Sequence, residues 1–581
     1  MLRNDIKIAW RNIKKNRVSS LINISGLAIG MASAIFIFLY VQDELRYDKF
    51  FTDIDKIYQV NVEGKMGGEE FLTGNTPPPV GAALKTAFPE VETYTRVYRP
   101  GDVVVRHEKE TKADYYFTET RVFGVDSNFL EVFDYAMLEG DRQTCLHDPN
   151  SVVISENISK KYFDNTDAIG KILLFGNDKK PFKVSGILKN IPPQSSFQFD
   201  ILRPIASYRA VKQFTWSWVW LQVNTYVKLS PEFVNNESNL KALEAKFPPM
   251  IRQQAASAFE RIGMPLDDLK KQGGKWELHL KPFSRVHLHT STDNARYNNL
   301  GDIKYVRIFS LIAFFIIVLA CVNFMNLSTA QSATRAKEVG IRKVLGSLKF
   351  QLMKQFFGET LLFVALSALI AMLLVILFLN PFNALSGKEF SFDLLLGGRF
   401  WIYFAGVILF TSLLAGSYPA FYLTSFKPIG VIKGKLSRSG LGSLFIRNGM
   451  VIFQFTISTA LIICTIIVFQ QLLFTRNADM GLNKENTLII ANTERLGTSE
   501  KSFKEEISVL PEIAGSSITS SVPTMNWFGD RYEPEANGEM QVAKDINLAS
   551  FIIDEEFIPI MEVKLIKGRN FSKEFNDSAS V

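Results

Sequence analysis

The sequence predicts an α-helical membrane protein with α+β extracytoplasmic domains and five transmembrane helices in this chain. The chain is 47% hydrophobic and yet 21% charged, which fits a membrane protein with large soluble parts. Short alternating strands and amphipathic helices separate its most apolar stretches. Five stretches lack any charged side chain over 25 or more residues: 18–42, 308–334, 360–387, 400–426 and 448–475. Because about 20 apolar residues cross a bilayer as a helix, each stretch is long enough to span.

The chain begins with a basic segment, 1–17, which we predict to be a cytoplasmic N-terminus, followed by transmembrane helix 1 over 18–42. The small residues Ala32, Ser33 and Ala34 resemble a signal-peptide cleavage site. The apolar run continues beyond them to Val41, however, whereas a cleaved signal places its site after the hydrophobic stretch. We therefore predict an uncleaved anchor.

Residues 43–304 are predicted to form an extracytoplasmic α+β domain. Alternating β-branched residues predict strands at 103–105, 151–155 and 182–187. Helical patterns occur at 80–88, 128–133 and 156–163, and Ser155 is a candidate N-cap for the third. A mainly helical block follows at about 230–272, and a region of this length has room for two subdomains.

His287 and His289 are the one pair in this domain that suggests a metal site. Alternate residues of a strand share a face, so the two imidazoles would lie side by side. A zinc site needs three or four ligands, and no third ligand has suitable spacing. We therefore expect packing here and predict no metal site.

The remaining elements alternate between spans and connections, and the alternation places the two large soluble regions on one side. Their predicted bounds are 305–330 for helix 2, 331–356 for a cytoplasmic segment, 357–380 for helix 3, 381–399 for a short extracytoplasmic loop, 400–424 for helix 4, 425–447 for a cytoplasmic linker, 448–474 for helix 5 and 475–581 for a second, incomplete extracytoplasmic domain.

The cytoplasmic segment is unusually basic, since residues 323–357 hold six Lys or Arg against one Glu. Within it the apolar residues Val339, Ile341, Val344 and Leu345 fall largely on one helical face. This pattern predicts a short amphipathic helix on the membrane surface. Gly346 and Ser347 then offer a break and a possible N-cap. An ordinary basic flanking loop is the alternative, because Lys and Arg collect on the cytoplasmic side of any membrane protein.

The net charge of +7 arises from loops predicted to face the cytoplasm, so it indicates membrane orientation and no nucleic-acid partner.

Near the end of helix 4, Gly416 and Pro419 form a candidate hinge, because a proline removes a helix hydrogen bond and bends or ends the span. The uncharged polar residues inside the spans, among them Asn326 and Gln454, are best explained by hydrogen bonds between helices. Without intramembrane charge, an ion-coupled pump is disfavoured.

Two strings carry a family resemblance: Asn323-Phe-Met-Asn-Leu-Ser-Thr-Ala330 and Arg335-Ala-Lys-Glu-Val-Gly-Ile-Arg-Lys-Val-Leu-Gly346. They closely resemble the coupling segment of FtsX-like, MacB-like ABC transporter permeases, the class of macrolide exporters and lipoprotein-release transporters. The resemblance implies that this segment touches a separate ABC ATP-binding subunit. The residues on matching positions are Arg335, Glu338, Gly340, Ile341, Arg342, Lys343 and Gly346.

The soluble region resembles the extracytoplasmic domain of the same family through Asp126–Phe133, Leu138–Gly140, Ile187–Pro192 and Phe283–His289. The family further implies a multi-pass protein of the bacterial inner membrane, surrounded by lipid, with a second permease copy as partner. Periplasmic or outer-membrane components are also expected partners.

The chain contains no G-x-x-x-x-G-K-[ST] phosphate loop, nucleophile elbow or H-E-x-x-H motif. We therefore predict a non-catalytic permease without its own cofactor, with ATP and Mg on the partner. The predicted function is to transmit ATP-driven motion to the extracytoplasmic domains for export or efflux. The alternatives are a transmembrane regulator of an extracytoplasmic enzyme or sensor kinase, and a membrane-anchored binding protein. Peptide, macrolide, lipoprotein and siderophore all fit as cargo.

Finally, residues 126–141 align without gaps on 554–569, with Asp, Phe and Gly coinciding and six further positions keeping their class. Each copy follows a single span by a comparable soluble stretch, which indicates an internal repeat. We therefore expect the chain to be a truncated copy of a duplicated permease, and the family resemblance implies three further spans, eight in all.

Overall fold

The computed structural model describes residues 17–574 except 67–68, 109–113, 165–167, 272, 291–298, 331–338, 425–440, 523–527, 533–534, 537–538, 541–545 and 573. Within the described part, five helices are long and apolar enough to cross a membrane, as predicted. They are span 1 (Arg17–Glu44), span 2 (Ile303–Ala330), span 3 (Lys349–Ser386), span 4 (Gly398–Thr424) and span 5 (Leu441–Asn477). Spans 3 and 5 extend several residues beyond both predicted ends, so the connection between spans 3 and 4 is short.

Spans 1 to 4 pack around one apolar core that includes Met31, Phe324, Val364 and Phe404. Spans 1 and 2 approach each other closely at Gly30 of span 1, where an added Cβ would lie 2.9 Å from the Cβ of Ala320 in span 2. Small residues at such contacts let helix backbones pack closely in lipid.

The predicted polar contact between spans is present at span 5. Asn326 Nδ2 of span 2 donates to Gln454 Oε1 of span 5 across 3.4 Å. This bond joins two uncharged polar residues that would otherwise lie unsatisfied among apolar side chains.

Residues 45–302, called here the soluble domain, are built on one mixed sheet. Its order is β13-β1-β12-β3-β6-β11-β8-β10-β9-β4-β5, with β2 beside β1 and β7 beside β10. The strands are β1 Ile57–Met66, β2 Glu69–Thr73, β3 Val91–Tyr98, β4 Val103–Glu108, β5 Asp114–Glu119, β6 Val122–Val125, β7 Met137–Gly140, β8 Ser151–Ser155, β9 Ile172–Phe175, β10 Lys180–Leu188, β11 Ile201–Pro204, β12 Val223–Leu229 and β13 Lys275–Pro282.

Short helices cover this sheet. They are α1 Val80–Ala87, α2 Phe129–Val132, α3 Glu156–Phe163, α4 Arg209–Gln213, α5 Glu237–Glu244, α6 Phe247–Arg261, α7 Leu266–Lys271 and α8 Val286–His289. Helices α1, α6 and α7 pack on the β1–β12–β13 end, whereas α3 packs on β8–β10. Between them lies an aromatic core in which Phe133 and Phe197 are fully buried. The sheet is continuous across both ends of the domain.

Most predicted elements of the soluble domain are present. The strands at 103–105, 151–155 and 182–187 lie within β4, β8 and β10, and the block at 230–272 forms α5, α6 and α7. Ser155 caps α3 as expected, since its Oγ accepts from the backbone N–H of Ile158 at 3.3 Å.

Residues 478–574, called here the second soluble segment, contain α10 Glu500–Ser508 and α11 Phe557–Ile560, numbered after α9 Asp393–Leu396 between spans 3 and 4. Two small antiparallel pairs also lie here: β14 Phe528–Tyr532 with β17 Ile546–Ser550, and β15 Glu535–Ala536 with β16 Glu539–Met540.

The two stretches aligned in sequence have the same local backbone geometry. In the first, Arg96 N donates to the Asp126 carboxylate at 2.8 Å, and Asp126 N donates to Arg96 O at 3.3 Å. In the second, Ile518 and Asp554 make the same two bonds at 2.7 and 3.2 Å. The bridges Val97–Val125 and Thr519–Ile553 correspond, as do the positive φ angles of Gly140 (97°) and Gly568 (90°). The second soluble segment therefore repeats part of the soluble domain's fold.

Candidate functional site

The described part of the segment that resembles the family's coupling motif is residues 339–348, called here the coupling segment. It lies at the end of the bundle opposite the soluble domain. Residues 339–344 are helical, and Gly346 ends this helix with φ of +93°. Ser347 N donates to Arg342 O and Gly346 N to Lys343 O, the paired bonds of a Schellman cap. A residue with a Cβ is strained at this φ, which explains a glycine here.

The helix is fixed to spans 3 and 4 from its inner side. Val339 is buried against Leu352, Phe356 and Ala420. Lys343 Nζ donates to the carbonyl of Thr424, the last residue of span 4, at 2.6 Å, and so satisfies a free carbonyl at that helix end. Arg342 Nη1 donates to Gln355 Oε1 of span 3. The segment is therefore attached to two spans at once.

The opposite side of the segment and the first turn of span 3 together form an exposed apolar face of five residues. Its members and their exposed fractions are Ile341 (54%), Val344 (62%), Leu345 (79%), Leu348 (66%) and Phe350 (75%). The prediction of one common apolar face was wrong for Val339, which points into the bundle while the others point out. A cluster of exposed large apolar side chains marks a surface that binds a membrane or another protein.

The residues predicted to contact an ATP-binding subunit lie in different surroundings in the structure. Arg342 and Lys343 bind the spans, Gly346 ends the helix, Gly340 is buried and Ile341 belongs to the apolar face. Arg335 and Glu338 lie outside the described residues. The sequence suggests Ser347 as the N-cap of the next helix, but span 3 begins at Lys349, so Leu348 is its N-cap. Gln351 Oε1 accepts from the N–H of Leu348.

The candidate hinge at Gly416 and Pro419 does not end span 4. The helix continues through Pro419 to Thr424, the predicted end of helix 4, so of the two expected effects of the proline, a bend or an end, the end does not occur. Gly416 has a packing role instead: a Cβ there would lie 3.0 Å from Phe357 Cδ1 and 3.3 Å from Thr360 Cβ of span 3. The missing side chain lets spans 3 and 4 approach closely.

At the other end of the bundle, His287 joins the soluble domain to span 1. It lies in the short helix α8 rather than in the expected strand, so it and His289 do not share a strand face. His287 Nε2 is 2.8 Å from Glu44 Oε2, and its ring stacks on Tyr47 with centroids 3.4 Å apart. The prediction of packing rather than metal binding thus corresponds to a defined contact.

Asp48 adds a second buried acid at the same junction. Its carboxylate accepts from Ser196 N at 2.8 Å and from Ser196 Oγ at 2.5 Å. Burial raises the pKa of Asp48 to about 6, against the lowering effect of the two Ser196 bonds. The loop after span 1 is therefore fixed to the 194–196 turn of the soluble domain.

A cavity of about 1200 Å³ opens beside this junction, between the soluble domain and the ends of spans 1, 2 and 3. Charged and amide side chains from all of these parts line it, including Arg121, Asp200, Asn190 and Lys304. Such a lining suits water and polar groups better than an apolar ligand.

Elsewhere in the described residues, Glu63, Glu277 and His279 place three ligand atoms within 4.8 Å of one another. Lys275 Nζ already lies 2.8 Å from Glu63 and 3.1 Å from Glu277. Because this ammonium group balances the carboxylates, the cluster is explained as an ion-pair network across β1 and β13.

Comparisons with known proteins match these two structural parts. The model of the MacB-like periplasmic core domain matches residues 20–245, and that of the FtsX-like permease C-terminal domain matches residues 310–428. The chain therefore contains a MacB-like periplasmic core domain and an FtsX-like permease domain. The permease domain comprises spans 2 to 4 and the coupling segment.

The relatives of this chain are ABC transporter components. The uncharacterized ABC transporter permease YvrN of Bacillus subtilis is 24% identical over 402 residues, which cover 65% of this chain and 89% of YvrN. The macrolide export ATP-binding/permease protein MacB of Neisseria meningitidis is 24% identical over 43% of this chain. The pyoverdine export ATP-binding/permease protein PvdT of Pseudomonas putida is 22% identical over 62%. The chain spans 34% of the length of MacB and 50% of PvdT.

Two solved structures are similar to part of this chain. A domain of a putative permease protein from Porphyromonas gingivalis aligns with a TM-score of 0.34 at 21% identity and covers 44% of this chain and 98% of that one. The periplasmic region of MacB from Actinobacillus actinomycetemcomitans aligns with a TM-score of 0.26 at 14% identity, covering 40% and 90%.

Sequence reasoning missed the contacts at the base of the soluble domain. Glu44 and His287 are separated by 243 positions, so no local pattern relates them. One signal was available, because Asp43 and Glu44 directly follow an uncharged span and Lys388 directly follows another. Charges at such span ends are candidates for pairing.

Proposed function

We propose that this chain is the membrane subunit of an ABC transporter, that its coupling segment binds a separate ATP-binding subunit, and that its spans carry the resulting motion to the soluble domain. The single observation that carries this proposal is the exposed apolar face beside the bundle attachments of Arg342 and Lys343. The proposal places the coupling segment and the N-terminus in the cytoplasm and both soluble parts on the far side of the membrane.

The geometry supports a role as a protein-docking site. Five large apolar side chains project from a segment whose inner side is held by Val339, Arg342 and Lys343. A docked partner that shifts would therefore displace the ends of spans 3 and 4. Interface energy is concentrated in a few buried anchors, and an apolar cluster of this kind supplies them.

The test uses the tagged full-length chain, purified in detergent from its own host's membranes. We expect a second polypeptide to co-purify, to be labelled by a photoreactive ATP analogue and to hydrolyse ATP, because this chain lacks a phosphate loop. Labelling of this chain itself, or hydrolysis by it after the partner is removed, would contradict the proposal.

The orientation is tested by cysteine labelling in whole cells. In a background without Cys145, Cys321 and Cys464, Asn150→Cys should react with an impermeant maleimide from outside, and Lys349→Cys only after permeabilisation. Both positions are exposed, whereas the neighbouring Ser151 is buried and would not react in either orientation. The reverse pattern would overturn the orientation and leave the fold unchanged.

A further inference from the structure

Lys388 lies in the short connection between spans 3 and 4, at the end of the bundle that carries the soluble domain. Its Nζ is 2.7 Å from Asp43 Oδ2 and 2.7 Å from Glu44 Oε1, the last two residues of span 1. The lysine side chain is 14% exposed and each carboxylate 7%. Ion pairs this far from solvent are screened weakly, unlike exposed ones.

The two carboxylates also bind the soluble domain, each through a different part of it. Glu44 is bonded to His287 of α8, and Asp43 Oδ1 accepts from Gln194 Nε2 at 2.6 Å. The ring of Tyr47, stacked on His287, lies 5.0 Å from Lys388 Nζ. Lys388 is therefore the centre of a buried cluster that joins span 1, the connection after span 3 and two loops of the soluble domain.

The balance of charge in this cluster depends on Lys388. Burial acts to lower the pKa of Lys388, but its bonds to Asp43 and Glu44 outweigh burial and hold that pKa above its usual range. The lysine is thus charged and balances one of two adjacent buried carboxylates. Without it, two like charges would be left side by side in a poorly solvated site.

Span 3 connects this cluster to the coupling segment. At its first turns Gln355 binds Arg342, and Leu352 and Phe356 cover Val339. It then runs unbroken for 38 residues to Ser386, two residues before Lys388. At 1.5 Å per residue, this helix is about 57 Å long. Spans 1 and 2 are joined to the soluble domain by the chain itself, whereas span 3 has no covalent link to it.

We propose that Lys388 is the positioning residue that ties span 3 to the base of the soluble domain, so that displacement of the coupling segment reaches that domain along span 3. This inference rests on the proposed function for the source of the displacement. The tie itself is a property of this chain, and it is tested without a partner.

The tie is tested by amide hydrogen exchange on the purified full-length chain, comparing wild type with Lys388→Met and Lys388→Arg. We expect Lys388→Met to raise exchange at least tenfold in residues 43–48 and 387–390, and Lys388→Arg to stay near wild type. Because Lys388→Met leaves two buried carboxylates unbalanced, which opposes folding, the neutral variant Lys388→Met/Asp43→Asn/Glu44→Gln is measured beside it. If the neutral variant folds and its amides at 43–48 and 387–390 exchange at the wild-type rate, Lys388 does not tie span 3 to the soluble domain.

The transmission step is tested on the complex with its ATP-binding subunit, with spin labels at Asn150 and Lys349. We expect the distance change caused by a non-hydrolysable ATP analogue to fall at least twofold in the neutral variant, with the same amount of bound subunit and the same ATP hydrolysis. A full distance change would overturn the route along span 3. Failure of wild type to retain any ATP-binding subunit would instead overturn the proposed function, while the exchange result still decides the tie.

Discussion

Replacing Val344 and Leu345 by aspartate is expected to lower retention of the ATP-binding subunit more than 100-fold. These side chains are 62% and 79% exposed, so their replacement should not disturb the bundle. Burying a Val or Leu at an interface contributes about 1.5–3 kcal/mol, and about 1.4 kcal/mol corresponds to a factor of ten. Loss of both, with the added cost of burying carboxylates, exceeds a 100-fold change.

The measurement is the amount of ATP-binding subunit that co-purifies with equal amounts of membrane-inserted chain. Leu565→Asp/Ile566→Asp is the matched control, because it changes an adjacent exposed apolar pair, 50% and 93% exposed, in the second soluble segment. The control should retain the subunit at the wild-type level. Equal retention by both double variants would show that the apolar face is not the docking site.

Asp126→Asn is expected to destabilise the soluble domain by about 3–5 kcal/mol, the usual cost of breaking a buried ion pair from one side. Arg96 Nη2 and Nε donate to the two carboxylate oxygens at 2.7 and 2.9 Å, and the side chains are 18% and 16% exposed. An amide has one oxygen, so one guanidinium donor and the positive charge lose their partner.

The repeat supplies a matched control in Asp554→Asn. There the cation is Lys504, which also binds Glu556 at 2.8 Å and therefore keeps a carboxylate partner. We expect a loss of about 1 kcal/mol from this variant, because Lys504 keeps Glu556 as its partner and the change mainly removes one hydrogen bond. The measurement is chemical unfolding of the full-length chain, followed by amide hydrogen exchange in peptides that contain Asp126 or Asp554, so that each variant is read in its own part of the chain. Equal losses from both variants would show that the second carboxylate partner of Lys504, Glu556, does not compensate for the lost charge.

The internal repeat shows which structural features could be predicted from the sequence and which could not. The alignment of 126–141 with 554–569 located two stretches that fold alike, because Asp, Phe and Gly have fixed local roles in them. The aspartate accepts a strand N–H and the glycine adopts a positive φ. The cation that faces each aspartate was not predictable, since Arg96 comes from a strand and Lys504 from a helix. Local backbone requirements are encoded locally, whereas charge partners depend on what the fold brings near.

The sequence by itself determined the five spans, the order of soluble and membrane parts, and the break at Gly346. Each depends on a local property: the length of an uncharged run, the alternation of apolar residues, or a glycine that must adopt a positive φ. Only the tertiary structure decided that Val339 faces the bundle while Leu345 faces solvent, and that Lys388, Glu44 and His287 meet. Glu44 is 243 positions from His287 in sequence, and Lys388 follows His287 by a further hundred. Only the packing of the spans and the sheet brings Lys388 and His287 within hydrogen-bond distance of Glu44.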